Sequence, residues 1–199
     1  MFKTKKVVFM SNEELKKGLD PLVVGNPKIL VLGSLPGDKT IEENKKCNNG
    51  DNKEKSEPKY YCCPSNRFWK VVVALLGGNY LLPSDYEKRK ELLGAAGIAL
   101  WDVYKKAVRA GALDCNIRAG QANNFSELVQ LLKENSGIHT IVFNGVKASK
   151  AFSEKIRFKL QAELNDRTFS FLSLPSTSGA SRKKTSVLVQ EWVAKLGNV

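Results

Sequence analysis

Lys28-Ile29-Leu30-Val31-Leu32-Gly33-Ser34-Leu35-Pro36-Gly37 is the stretch that decides the fold class. Its aliphatic run is short, unbroken by polar residues, and stops abruptly at Gly33-Ser34. A run of this kind reads as a strand buried on both faces and ending in a tight loop. Such a strand needs helices above and below it, and the rest of the chain supplies them.

Working outward, Asn66 to Leu76 sets Phe68, Val72 and Leu75 at helical spacing, with Trp69, Val73 and Leu76 beside them. Ser84 and Glu87 have capping-box spacing and predict a second helix from Ser84. Gly97-Ile98-Ala99-Leu100-Trp101-Asp102-Val103 reads as a strand. Asn124 to Leu132 reads as a helix, with Asn124 and Glu127 as another possible capping box. Thr140 to Phe143 is a strand closed by Asn144-Gly145, and Val146 to Leu164 reads as one long helix. Thr168 to Leu172 is a further strand, ending at Leu174-Pro175-Ser176, and Ser181 to Leu196 is a basic C-terminal helix.

This alternation predicts an α/β fold, with parallel strands, right-handed crossovers and helices on both faces. In such sheets ligands bind beyond the carboxyl ends of the strands. The segments at those ends are Gly33 to Gly37, Trp101-Asp102, Asn144-Gly145 and Leu174 to Ser178, so polar or Gly/Pro-rich loops are expected to converge on one edge.

The chain of 199 residues is long enough for one α/β domain with a full core. Asp38 to Lys59 changes character: Lys, Glu, Asn and Asp dominate and large apolar side chains are nearly absent. A stretch that buries so little cannot offset its ordering entropy. It is expected to be an exposed, mobile insertion within the single domain. No apolar run approaches membrane-spanning length, and the N-terminus lacks the apolar stretch and cleavage site of a signal peptide. The expected protein is soluble and intracellular, cytoplasmic or nuclear, with no membrane partner.

The net charge of +12 favours polyanionic partners, because each phosphate neutralised releases counterions. A merely basic surface is the plainer alternative. Cys47, Cys62, Cys63 and Cys115 form no C-x-x-C pair, and His139 is the lone histidine. Zinc sites show paired ligand spacings, so free thiols in a reducing compartment and no metal are expected.

Five segments carry a resemblance to a known family. Gly33-Ser34-Leu35-Pro36-Gly37 is similar to the first motif of the mismatch-specific and hypoxanthine DNA glycosylases of the uracil-DNA glycosylase superfamily. Pro64-Ser65-Asn66-Arg67-Phe68-Trp69-Lys70 resembles their His-Pro-x-Asn-x-Phe-Trp element. Gly97 to Val103, followed by Gly111 to Arg118, resembles the central segment of the hypoxanthine branch. Ile141 to Gly145 and Leu174 to Ser178 resemble its third strand and its DNA-facing loop. The order and spacing of these segments point to the hypoxanthine branch. The resemblance implies a three-layer α/β/α fold with a four-stranded parallel sheet. It implies a monofunctional glycosylase, without metal or cofactor, that acts on double-stranded DNA containing deaminated bases. A monomer is expected. It also puts the catalytic amide on Asn66, because Ser34-Leu35 stand where the mismatch-specific branch has its catalytic Asn.

The chemistry suits these residues. A base inside a duplex is unreachable, so it must be everted into a pocket. Breaking the C1′–N bond leaves a sugar with oxocarbenium character. Asn66 is a weak base, but its carbonyl can orient a water while its NH2 group donates to a ligand. Catalysis then rests on positioning and electrostatic preorganisation. Backbone N–H groups around Gly33 to Gly37 could supply donors to the base, and Gly33, Ser34, Leu35, Pro36 and Gly37 form the expected base-binding loop. Phe68 is a candidate to stack on the everted base and Asp102 to accept from its N–H. Asn144 completes the base-binding set. Pro175, Ser176, Thr177, Ser178, Ser181, Arg182 and Lys183 are expected to contact DNA, because hydroxyls, N–H groups and cations are the usual phosphate ligands.

Each assignment has a plainer competitor. Asn66 suits a helix N-cap, Phe68 suits the core, and Trp69 is assigned to the core. Asp102 suits a cap or ion pair, and Asn144 suits the cap of the following helix. The Gly33 loop suits an ordinary strand-to-helix turn. The chain also departs from the family pattern. Cys63 replaces the histidine before Pro64, and Gly179 stands where proline is frequent. Leu174 occupies the place of the last-motif histidine of the classical uracil enzymes. A uracil or mismatch enzyme, and a catalytically silent nucleic-acid-binding protein, are the competing functions.

Overall fold

The computed structural model describes residues 13–48, 57–79, 81–111, 113–123 and 125–197. Four parallel strands form its centre in the order β3-β2-β6-β7. They are β2 (Ile29–Gly33), β3 (Ile98–Asp102), β6 (Thr140–Asn144) and β7 (Ser170–Leu174). The register pairs Gly33 with Asp102 and Asn144 with Leu174, so four carboxyl ends emerge along one edge.

Period-two alternation inside the aliphatic run decides the layering. Ile29 and Val31 pack on one face with α2 (Phe68–Leu75), α3 (Tyr86–Ala95) and α7 (Thr185–Leu196). Leu30 and Leu32 pack on the other with α4 (Phe125–Glu134), α5 (Val146–Ala151) and α6 (Glu154–Glu163). The α/β/α architecture and the parallel sheet agree with the sequence reading.

A second sheet was not expected. β1 (Glu13–Lys17), β4 (Tyr104–Ala110) and β5 (Ile117–Ala122) pair antiparallel in the order β1-β4-β5. β4 follows β3 after the single residue Val103. The join is stitched to the first motif: Val103 N–H donates to the Gly33 carbonyl at 2.8 Å and Tyr104 N–H to the Ser34 carbonyl at 3.1 Å. A turn of 3-10 helix, Asp114–Asn116, connects β4 to β5.

The expected insertion is corrected over its first half. Residues 38–48 form helix α1 (Asp38–Asn48), with Thr40 and Asn44 buried. Its core contact is polar, which is why an apolar count missed it. The Asn44 amide donates to the Lys59 carbonyl at 2.8 Å and accepts from Lys59 N–H at 2.8 Å. Thr40 Oγ1 accepts from Cys62 N–H at 3.1 Å. Residues 49–56 lie outside the described residues.

Several boundaries also shift. Asp85, not Ser84, caps α3, its carboxylate accepting from Glu87 N–H at 3.1 Å. Asn124 lies outside the described residues, and Glu127 pairs with Lys105 at 3.0 Å. The long helix expected from Val146 to Leu164 divides at Phe152-Ser153, where ψ becomes 73° and then 160°. The break lets Phe152 turn inward against Phe143, with ring centroids 5.1 Å apart. The C-terminal helix starts at Thr185, because residues 181–184 belong to the preceding loop.

Candidate active site

A cavity of about 770 Å³ opens where the four strand ends meet. Its lining includes Gly33, Ser34, Leu35, Pro36 and Gly37 from the β2 end, and Asp102, Asn144 and Asn66. Ser176, Ser178 and Ser181 line its opposite wall. The sequence-predicted residues are therefore largely brought together, but their individual roles differ from one another.

Asn66 precedes α2, and its Oδ1 accepts from Phe68 N–H at 3.0 Å. The N-cap itself is Arg67, so Asn66 stands one residue before it and also lines the cavity. The local bond orients the carboxamide, and Oδ1 retains a second lone pair.

Phe68 is 0% exposed and does not face the cavity. Its ring stacks on Tyr61 at 4.3 Å between centroids and packs edge-on to Trp69, which is core as expected. The aromatic residues lining the cavity are Tyr60, which is buried, and Tyr61; the sequence reading missed both. Tyr61 has φ +53°, the one positive φ among the described residues other than glycine. That conformation costs a bulky residue about 1–3 kcal/mol and persists only where its surroundings over-determine it. Here α1 supplies the constraint, holding residues 59 to 62 from Thr40 and Asn44. Burial holds the Tyr61 phenol well above the usual tyrosine range.

Gly33 is required by close approach. A Cβ there would stand 2.8 Å from Asp102 Oδ1 and 3.4 Å from the Tyr61 hydroxyl. Asp102 is 4% exposed, and Leu19 N–H donates to it at a long 3.4 Å. Burial, with the nearby Asp114 charge adding to it, pushes the Asp102 carboxyl up to about 7. Both protonation states are therefore available at neutral pH.

Asn144 turns away from a free role. Its Nδ2 donates to the Tyr61 hydroxyl at 3.1 Å and to Thr177 Oγ1 at 2.9 Å, while Oδ1 accepts from Thr177 N–H at 2.8 Å. It ties the aromatic wall to the loop after β7. Thr177 is 0% exposed, so it anchors that loop from inside and does not present itself to DNA. The Pro175 carbonyl accepts from Trp192 Nε1 at 2.9 Å. Lys183 pairs with Glu191 at 2.5 Å, whereas Arg182 is exposed.

Three further residues escaped the sequence reading. The buried Arg67 guanidinium donates to the carbonyls of Thr177 (3.4 Å), Lys183 (2.6 Å), Ser181 (3.3 Å) and Ser178, which fixes the loop. Arg109 of β4, fully buried at the cavity, donates to the Pro36 carbonyl at 2.7 Å and to Asp38 at 3.0 Å. Asp114 accepts from the Ser34 hydroxyl and lies 3.6 Å from Arg109. Burial raises the Asp114 carboxyl above its ordinary value despite both partners. Burial acts the same way on Asp38, but hydrogen bonds from Lys16 and Arg109 outweigh it and hold that carboxyl low. Cys63, in the histidine's place, also lines the cavity, its thiol held low chiefly by Ser65 Oγ at 3.2 Å.

The carbonyls of Gly33, Ser34, Pro36 and Gly37 all accept hydrogen bonds from within the protein. The family model of the uracil DNA glycosylase superfamily matches residues 22–197. The chain belongs to the uracil DNA glycosylase superfamily. Its α/β/α fold is that superfamily's. A hypoxanthine DNA glycosylase of Methanosarcina acetivorans is 32% identical over 180 residues, spanning 90% of this chain and 97% of that protein. One from Methanosarcina barkeri is 29% identical, spanning 89% and 95%. The solution NMR structure of a candidate uracil DNA glycosylase from Methanosarcina acetivorans superposes with a TM-score of 0.66 at 29% identity. It covers 93% of this chain and 98% of its own. Among the described residues no helix is long and apolar enough to cross a membrane.

Proposed function

We propose that this glycosylase-superfamily chain excises hypoxanthine from DNA by hydrolysis of the N-glycosidic bond, acting as a monomer on duplexes that hold a deaminated base. The observation that carries the reading is the placement of a rotamer-fixed carboxamide, Asn66, in one cavity with the buried carboxyl of Asp102. The names of the two Methanosarcina relatives supply the base.

The target nucleotide leaves the stack and enters the cavity. The second lone pair of Asn66 Oδ1 orients a water toward C1′. The water oxygen bonds to C1′ as the C1′–N bond breaks, the bonding pair departs with the base, and the proton lost by the water ends on the released base. Asp102 meets the base, accepting from a ring N–H when ionised or donating to a ring nitrogen when protonated. The backbone N–H groups of Ser34, Leu35 and Gly37 donate to the same base. Tyr61 supplies the stacking surface, and Ser176, Ser178, Ser181 and Arg182 contact phosphates.

The test is a panel of duplexes carrying hypoxanthine, xanthine or uracil, assayed in chelator. Hypoxanthine release is expected to leave an intact abasic strand. Preferential uracil release would favour the name carried by the NMR neighbour instead. Asn66→Ala is expected to slow excision roughly 10²–10³-fold, the range of one preorganised polar group, with DNA affinity kept. Full-rate excision by Asn66→Ala would remove it from the chemistry.

A further inference from the structure

We propose that Asp114 is the residue that separates a deaminated base from an ordinary one, its carboxylate accepting from the ring N–H that deamination creates; this rests on the base-excising reading above. Deamination turns an amidine edge into a lactam edge. Adenine carries a bare lone pair at N1, where hypoxanthine carries N1–H beside a carbonyl. Cytosine and uracil differ in the same way at N3. An everted base is read along this edge. A fixed acceptor facing that ring position bonds the deaminated base. Against the ordinary base it meets a second lone pair and stays unpaired, which is how a polar site rejects an analogue lacking one N–H.

Among the described residues, Asp38, Asp102 and Asp114 are the carboxyl groups that border the cavity. Asp38 is committed to ion pairs with Lys16 and, at 3.0 Å, with Arg109. Asp102 is only 4% exposed and lies beneath Gly33. Asp114 keeps 38% of its side chain open, so it is the carboxylate that a ligand entering the cavity meets most readily.

The two oxygens of Asp114 are unequally used. Oδ2 accepts from the Ser34 hydroxyl. Oδ1 lies 3.6 Å from Arg109 Nη1, too far for a hydrogen bond. Nη1 is itself buried and, among the described residues, has no hydrogen-bond partner. A buried donor left open in this way calls for an explanation. Ser34 holds the carboxylate toward the first-motif loop, so the ion pair stops short of closing and Oδ1 is kept for an incoming donor. Arg109 is fully buried behind it and does not compete for the ligand. Burial raises the Asp114 carboxyl, and Ser34, Arg109 and Lys147 act against that, in favour of the ionised, accepting form. The turn that carries Asp114 is pinned on both sides: Asn116 Nδ2 donates to the Ala110 carbonyl at 2.8 Å, and Lys147 Nζ to the Ile117 carbonyl at 3.1 Å. With Asp114 on the ring N–H, Asp102 is left the other contact given it above, donating when protonated to a ring nitrogen of the departing base.

The experiment measures the affinity of the native chain, Asp114→Ala and Asp114→Asn for duplexes carrying hypoxanthine, unsubstituted purine or adenine. Each base sits on a 2′-fluoroarabino sugar, which resists cleavage because fluorine disfavours the oxocarbenium ion. Purine lacks the ring N–H at position 1, as adenine does. The native chain is expected to prefer hypoxanthine to both. Asp114→Ala is expected to lower that preference roughly 10–100-fold, the range of one hydrogen bond to a charged group. Asp114→Asn presents an NH2 group to adenine N1 and is expected to bind the adenine duplex more tightly than the native chain does. A merely structural defect weakens all three duplexes alike and leaves the preference intact; that outcome, or a native chain without preference, overturns the proposal. Release of hypoxanthine from a cleavable duplex is timed alongside. If the native chain releases none while its preference still depends on Asp114, the excision reading fails and the assignment of Asp114 stands.

Discussion

Asp102 ends β3 beneath Gly33, with its carboxyl buried and pushed up to about 7. The native state therefore holds a proton that the unfolded chain, near 3.8, has already released. Stability contributed by this group is whole below about pH 4 and is lost as pH rises toward 7. Asp102→Asn is expected to gain up to about 4 kcal/mol relative to the native chain across that window. Urea unfolding of both proteins from pH 4 to 8 checks this; parallel profiles would refute it. Asp102 was legible in the sequence as a polar residue at the end of an apolar strand. Asn66 was legible too as a carboxamide before a helix, and its side chain both accepts from Phe68 N–H and lines the cavity. Phe68 was not: helical spacing places a ring on a stripe but does not say which side of the stripe meets solvent. Tyr61 left no trace, because a left-handed φ at a tyrosine is imposed by α1 and not by its neighbours in sequence.

At the scale of elements, the loop from Pro175 to Lys184 depends on one buried cation. Arg67 meets its carbonyls from the start of α2, and a guanidinium can reach several acceptors in one plane where an ammonium cannot. Arg67→Lys is expected to lower stability by about 1–3 kcal/mol, since buried carbonyls lose their donor. It is also expected to weaken DNA binding several-fold. Thermal unfolding and anisotropy titration measure the two effects; wild-type values in both would show that the loop holds its shape without Arg67. The missing antiparallel sheet teaches a related lesson. The alternating face of β4 is Ala107 and Arg109, one small and one charged, so the period-two signal of a buried face was absent. Arg109 is buried against Asp38, Asp114 and the Pro36 and Gly111 carbonyls, and two of these partners, Pro36 and Asp38, come from far along the chain.

At the scale of the whole molecule, +12 of charge and a cavity flanked by Lys39 and Lys147 predict binding dominated by phosphate contacts. If three phosphates are neutralised, log K for undamaged duplex should fall with log salt at a slope of about −3. Anisotropy titrations between low and moderate salt measure the slope, and Arg182→Glu should make it shallower. A salt-independent affinity would contradict electrostatic docking.

The primary structure by itself settled the parallel sheet, its two helical layers, the edge at which the cavity opens and the placing of Asn66 before a helix. These follow from local periodicity and from residues that end strands, and both are written in neighbouring positions. Tertiary structure alone decided that Tyr61 replaces Phe68 at the cavity, that Thr177 and Asn144 anchor the loop, and that Arg67, Arg109 and Asp114 belong to the site. Buried polar groups take their partners across the fold, and a pairing of that range has no period in the chain for a reader to find.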